Sequence, residues 1–122
     1  MLKKRLDSID FRKNFSWKEI EIMIKEIIEN SLLHSGKEKP YVNIKTNFKN
    51  NFIYVEFIDN GKGIEEKNFD KIFFPFFSTI SGNLHKGLGL SYVWGILQRH
   101  NGIISVESEL NKYTRFIIKI KL

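Results

Sequence analysis

The alternating run from Phe52 to Ile58 ends in Asp59-Asn60-Gly61-Lys62-Gly63-Ile64, and this junction constrains the fold more than any other stretch. Ile53, Val55 and Phe57 share one face of a strand. A period of two puts Asp59 on that same face. The opposite face, Phe52, Tyr54, Glu56 and Ile58, is mixed. A carboxylate therefore extends an apolar row just where two glycines stop the strand. Aimed into an apolar cavity, it is costly unless a donor satisfies it. An amino group on a flat heteroaromatic ring would serve. Gly61 and Gly63 leave room for such a ring to approach the backbone, and both tolerate positive φ. Asp-Asn-Gly is also ordinary turn chemistry. On its own the stretch reads as a tight turn, and the rest of the chain weighs against that.

The 122 residues suffice for one domain with one core. A hydrophobic content of 42% and a charged content of 28% are those of a soluble globular protein. The chain has no Cys, which excludes disulfides and thiolate metal sites. No apolar run approaches the roughly 20 residues of a membrane span. No apolar signal core follows the basic start Met1-Leu2-Lys3-Lys4-Arg5. A cytoplasmic domain without membrane contact is the expectation. The net charge of +6 raises nucleic acid as a partner. The Lys and Arg residues are scattered among acidic ones, however, as in Glu19-Glu21-Lys25-Glu26-Glu29, so a solvated surface is expected and nucleic acid is not. A phosphate-bearing ligand also suits such a field.

Residues 1–15 are polar and weakly patterned, and read either as a linker or as an edge strand around Leu6 to Phe11. Ser16 with Glu19 forms a capping box. A helix follows to about His34, with Ile20, Met23, Ile24, Ile27, Ile28 and Ser31 as its buried stripe. Ser35-Gly36 ends it, and Pro40 prevents a restart. Tyr41 to Phe48 alternates, with Val42, Ile44, Thr46 and Phe48 facing in. Lys49-Asn50-Asn51 makes a hairpin loop into the Asp59 strand. Ile64 to Lys71 fits a short helix. Ile72-Phe73-Phe74-Pro75-Phe76-Phe77-Ser78-Thr79 is too irregular for a helix and too broken for a central strand. Ile80 to Lys86 has the small, polar, Gly-containing make-up of a mobile segment. A second helix opens at Gly87-Leu88-Gly89-Leu90 and reaches about His100, where Asn101-Gly102 stops it. Strands over Ile103 to Glu107 and Arg115 to Leu122 complete the chain. Strands with one apolar and one polar face, beside amphipathic helices, fit a two-layer α/β sandwich with helices on one side.

Three groups carry chemistry. Glu26 and Asn30 lie one helical turn apart on a face that borders the buried stripe. A carboxamide oxygen there is a fair Mg²⁺ ligand if phosphate oxygens and waters complete the octahedron. A plain solvated helix edge is the alternative for Glu26. Gly87-Leu88-Gly89-Leu90 at a helix start offers free N–H groups and the positive end of a dipole, an anion site. Asp59 with Gly61 and Gly63 is the third group.

In order, Glu-x-x-x-Asn on a first helix, Asp-x-Gly-x-Gly-Ile after a strand, a Phe-rich loop and Gly-Leu-Gly-Leu opening a second helix resemble the ATP-binding catalytic domain of bacterial sensor histidine kinases. These kinases share a superfamily with DNA gyrase B, the heat-shock chaperones and the mismatch-repair ATPases. The resemblance spans residues 16–122. It implies a Bergerat-type α/β sandwich with a mixed sheet, ATP and Mg²⁺ as cofactors, and transfer of the γ-phosphate to a histidine. It makes Asn30 the Mg²⁺ ligand and Asp59 the adenine reader. Gly61 and Gly63 would be close backbone contacts, and Ile64, Ile72 and Leu90 the lining of the slot. Glu26 stands where the superfamily's ATPases have a general base. Ile80 to Lys86 would be the ATP lid, with Lys86 and the backbone of Gly87, Leu88 and Gly89 at the phosphates. Thr114-x-Phe116 resembles the last strand's pocket Thr and core Phe. Phe73, Phe74, Phe76 and Phe77 would dock a helical partner domain, although two of the four fit a satellite core equally well.

Several positions depart from the family pattern. Leu33 replaces a Lys three residues after the Mg²⁺ Asn, and His34 either takes over its phosphate contact or packs. His85 replaces a leading Gly. Asn111 and Tyr113 stand where the third glycine box has Gly. No dimerisation domain with a phosphoacceptor histidine accompanies these motifs, so that partner is expected on another domain or chain, with a response regulator downstream. The domain itself is expected to be monomeric. Two other roles fit: a stand-alone serine kinase of the anti-sigma type or an ATPase, and a nucleotide-binding regulatory module without turnover.

Overall fold

The structure, a computed structural model, describes residues 17–33, 35–74, 77 and 89–121. Helix α1 spans Trp17–Leu33, strand β1 Val42–Lys49 and strand β2 Phe52–Asp59. A short 3-10 helix, Glu66–Asn68, precedes helix α2, Gly89–Arg99. Strands β3, Gly102–Glu109, and β4, Tyr113–Lys121, end the fold. The order across the sheet is β1-β2-β4-β3. The N-terminal segment 1–15 and the Ser16 cap lie outside the described residues.

The hairpins set the sheet. Asn50 and Asn51 adopt φ of 53° and 65°, so Lys49 pairs directly with Phe52 across a two-residue turn. Two consecutive left-handed residues match the twist of the flanking strands, and Asn tolerates that conformation. Strands β3 and β4 form a second hairpin, and β4 then pairs with β2. Among the described residues every pair is antiparallel. The described strands therefore show no parallel pair of the mixed sheet that the resemblance implies. The connection through α2 returns β3 in the direction of β2, but β4 lies between them.

Helix α1 buries Ile20, Met23, Ile27 and Ser31, and α2 buries Leu90, Val93, Ile96 and Leu97. These stripes meet Ile53, Val55 and Phe57 of β2, Phe116, Ile118 and Ile120 of β4 and Ile104 of β3 in one core. Ile24 and Ile28 pack at its margin. His100 Nε2 lies 3.1 Å from Glu19 Oε2, joining the end of α2 to the start of α1. Beyond the 3-10 helix, the Ile72 N–H donates to the Asn68 carbonyl at 3.1 Å, and Ile72 enters the core.

Strand β1 departs from its expected burial. Val42, Ile44, Thr46 and Phe48 lie opposite Asp59, Phe57, Val55 and Ile53, on the core side as expected. Yet Ile44 is 41% exposed and Phe48 38%. Val42 alone of that row packs against the core, and β1 is one of the two edge strands.

Candidate functional site

At one end of the sheet, between α1, the start of α2 and the loops after β2 and β3, lies a cavity of about 290 Å³. Asp59 is at its base, 5% exposed, as the last of the buried β2 row. Its Oδ1 accepts the Gly61 N–H at 2.8 Å. Such a bond two residues on is what lets Asp shape its own turn. The carboxyl lines the base of the cavity. Burial pushes the Asp59 carboxyl above its ordinary value, and the N–H groups of Gly61 and Thr114 and the Ser31 hydroxyl pull it part of the way back. Ser31 Oγ is close enough for that influence but closes no hydrogen bond of normal geometry. An orphaned buried hydroxyl costs about 1–3 kcal/mol, so the base of this cavity is built for a polar ligand or water.

The loop after Asp59 is fixed on both sides. Asn60 Oδ1 accepts the Tyr41 N–H at 3.0 Å, and Asn60 Nδ2 donates to the Lys39 carbonyl at 3.2 Å. On the far side the loop presses on the β3–β4 hairpin. Gly63 has a φ of 78°, and a Cβ there would lie 2.5 Å from the Glu109 carbonyl oxygen. The Asn111 N–H donates to the Lys62 carbonyl at 2.7 Å. The Ile64 N–H donates to Ser108 Oγ at 2.8 Å. Ser108 Oγ also lies 2.6 Å from the Tyr113 carbonyl oxygen and 3.0 Å from Thr114 Oγ1. Gly63 thus makes room for the hairpin backbone, a reason that sequence reasoning did not supply. Gly61 does not adopt positive φ, and its amide is used by Asp59.

Of the sequence-predicted residues, Asn30, Asp59, Gly63, Ile64, Ile72, Leu90 and Thr114 line the cavity together. Gly89 opens α2 but is not part of the lining, and neither is Glu26. His34, Lys86, Gly87 and Leu88, like the lid segment 80–86, lie outside the described residues. Among the described phenylalanines of that loop, Phe74 stands clear, at 59% exposure. Phe77 packs on the core and lines the cavity. Phe73 packs between Trp94 and Phe116, with ring centroids 5.6 and 6.5 Å away. Phe76 is outside the described residues.

Lys62, Glu65, Asn68 and Leu110 also line the cavity and were not singled out, as do Ser31, expected only in the buried stripe, and Asn111, expected only as a departure from the glycine box. Asn111 carried a signal that could have been used. Its φ of 64° is the left-handed conformation for which Asn is the usual substitute for Gly. The turn closes with the Lys112 N–H on the Glu109 carbonyl at 3.1 Å. Ser108 carried a signal too, since a period of two puts it on the inner row after Ile104 and Val106.

Residues 17–122 match the family described as histidine kinase-, DNA gyrase B-, and HSP90-like ATPase. The sensor protein RprX of Bacteroides fragilis is 38% identical over 105 residues, which cover 82% of this chain and 20% of that protein. The signal transduction histidine-protein kinase ArlS of Staphylococcus epidermidis is 34% identical over 104 residues, 82% of this chain and 23% of that protein. The chain spans about a fifth of the length of these curated relatives. Among solved structures, the nucleotide-free catalytic domain of histidine kinase ThkA superposes with a TM-score of 0.73 at 26% identity, covering 85% of this chain and 66% of that one. Full-length ShkA in complex with AMPPNP has the same fold, with a TM-score of 0.74 at 19% identity over 84% of this chain and 21% of that one. Among the described residues no helix is long and apolar enough to cross a membrane. The chain belongs to the histidine kinase-, DNA gyrase B- and HSP90-like ATPase family, and the relatives it matches there are sensor histidine kinases.

Proposed function

We propose that this chain is the ATP-binding catalytic domain of a two-component sensor histidine kinase. It holds Mg²⁺-ATP in the cavity above Asp59 and gives the γ-phosphate to a histidine on another domain or chain. The observation that carries this reading is the buried Asp59 carboxylate at the base of an apolar-walled cavity, held by the Gly61 N–H on Oδ1. A purine amine is a donor of the right size and shape to satisfy it. Ile64, Ile72 and Leu90 supply apolar walls for the ring.

Asn30 lines the same cavity and is the residue that would hold Mg²⁺. Among the described residues no group of three or more His, Asp or Glu could hold a metal. A cation here must take most of its ligands from phosphate and water, which is how Mg²⁺ binds beside nucleotides. When bound, it would neutralise charge on the phosphates. The protein's own part is positioning. Asp59 and the apolar walls fix the base, and α1 holds Asn30 one turn from Glu26. Glu26 lies outside the cavity lining, which suits a group that polarises the incoming imidazole rather than one that touches the base. Exposed Phe74 is the docking residue best placed for a helical partner domain. The response regulator would take the phosphate from that partner.

A missing third glycine box, with Asn111 and Tyr113 in place of Gly, would favour the regulatory alternative. Asn111 takes the left-handed conformation without glycine, so that support is weakened.

The test is titration of the purified domain with a non-hydrolysable ATP analogue, with and without Mg²⁺, followed by labelled-ATP transfer to a supplied phosphoacceptor domain. Mg²⁺-dependent binding and acid-labile label on the partner are expected. Absence of binding at millimolar nucleotide contradicts the reading. Binding with label on serine instead favours the anti-sigma type of kinase.

A further inference from the structure

The hydrogens in the Ser108 cluster can be assigned by counting. Ser108 has one hydroxyl proton and three neighbours: the Ile64 N–H at 2.8 Å, the Tyr113 carbonyl at 2.6 Å and Thr114 Oγ1 at 3.0 Å. The Ile64 N–H can only donate, so Ser108 Oγ accepts from it. The Tyr113 carbonyl can only accept, and two oxygens 2.6 Å apart need a proton between them, so the Ser108 proton points there. With that proton spent, the contact between the two hydroxyls exists only if Thr114 donates. Thr114 is buried and lines the cavity. Its own proton is turned away from the cavity, so it offers only lone pairs. Asp59, its cross-strand partner, offers a carboxylate oxygen, which is again an acceptor.

We propose that Ser108, which touches no ligand, is a specificity-determining positioning residue: by taking the Thr114 proton it makes the base of the cavity acceptor-only, and so selects a purine with an exocyclic amine over one with a carbonyl in that place. The proposal rests on the nucleotide-binding reading above and adds the device that sets base choice. A ring amine brings two N–H donors to two acceptors. A ring carbonyl brings lone pairs to lone pairs and leaves buried polar groups unpaired, the kind of mismatch that proteins discriminate best. Ser108 also receives the Ile64 N–H, so the residue that turns the Thr114 proton also pins the loop after Asp59.

The test is calorimetric titration with ATP and with inosine triphosphate, which carries a carbonyl where ATP carries the amine and an N–H at the neighbouring ring nitrogen. Wild type is expected to prefer ATP by at least about 10-fold. Ser108→Ala frees the Thr114 hydroxyl to turn and donate, so the preference should fall to within about threefold, whatever happens to overall affinity. Ser108→Thr keeps the hydroxyl and should restore the ratio. Because Ser108→Ala removes a loop contact, Thr114→Val provides a second route that leaves Ser108 in place. It removes one acceptor and should weaken ATP while sparing inosine triphosphate. An ATP preference unchanged in Ser108→Ala overturns the proposal, as does a wild type that binds both nucleotides equally, which would leave nucleotide binding itself intact. A wild type that binds neither overturns the nucleotide reading and this inference with it.

Discussion

The cavity has two unlike polar walls. The end of β2 and the loop after it, residues 59–64, supply the charge. The β3–β4 hairpin, residues 108–114, supplies the scaffold. The loop is held by bonds that mostly leave it: Asn60 to Lys39 and Tyr41, Lys62 to Asn111, Ile64 to Ser108. The hairpin is held largely by itself, through Ser108, Tyr113 and Thr114 and the Glu109–Lys112 turn. The loop therefore carries the cavity-facing carboxylate but borrows its shape from the hairpin. A change in the hairpin should be felt at Asp59, while a change in Asp59 should leave the hairpin standing.

The sharpest way to break this arrangement is Gly63→Ala. The methyl would meet the Glu109 carbonyl at a left-handed φ, so the two walls must part. A loss of about 3 kcal/mol of stability is expected, together with loss of nucleotide binding. Thermal denaturation and calorimetry read both. A variant that keeps wild-type stability would mean that the walls are not in contact as described.

Asp59→Asn tests the charged wall alone. ATP affinity should fall by about 10- to 100-fold, the worth of a hydrogen bond to a charged group, with the hairpin intact by circular dichroism. The pH dependence follows from the raised Asp59 carboxyl. With a folded pKa above the unfolded one, the native state binds the proton more tightly between the two values. Asp59 thus contributes less to stability as pH rises from the ordinary carboxylate value of 3.8 through its folded value. In denaturation experiments the ligand-free wild type should lose ground to Asp59→Asn across that window. A difference that is flat with pH would mean that burial does not act on this carboxyl.

Asn111 separates backbone from side chain in the hairpin. Asn111→Gly should be within about 0.5 kcal/mol of wild type, and Asn111→Ala should cost about 1–2 kcal/mol at its positive φ. Equal costs would show that the Asn side chain matters more than the turn. The smallest effect belongs to the outer sheet face, away from both walls. There Arg115 bonds Glu56 and Glu107, and Tyr113 donates to Glu107 at 2.7 Å. Glu107→Gln should change stability by less than about 0.5 kcal/mol, since exposed pairs contribute little. Nucleotide affinity should be unchanged in this variant.

The charged wall was legible in the sequence and the scaffold wall was not, for a physical reason. Alternation in β2 shows on which face Asp59 falls, and glycines mark where a backbone bends. These are local signals. The hairpin's role depends on contacts between residues far apart in the chain, Ile64 with Ser108 and Lys62 with Asn111, and no local pattern encodes such distant pairings. Reading Asn111 only as a missing glycine confused a residue type with the conformation it serves. Strand β1 shows the same limit. Its alternation gave the correct face, but how far the helices cover that face is set by tertiary packing, which leaves Ile44 and Phe48 exposed.

The measurement closest to the central claim is a map of backbone amide shifts as an ATP analogue is added with Mg²⁺. Both walls should respond together. Gly61, Gly63 and Ile64 should move on one side and Asn111 and Thr114 on the other, with the outer-face amides of β1 still. Shifts confined to one wall, or centred on the outer sheet face, would contradict a nucleotide site built from the two.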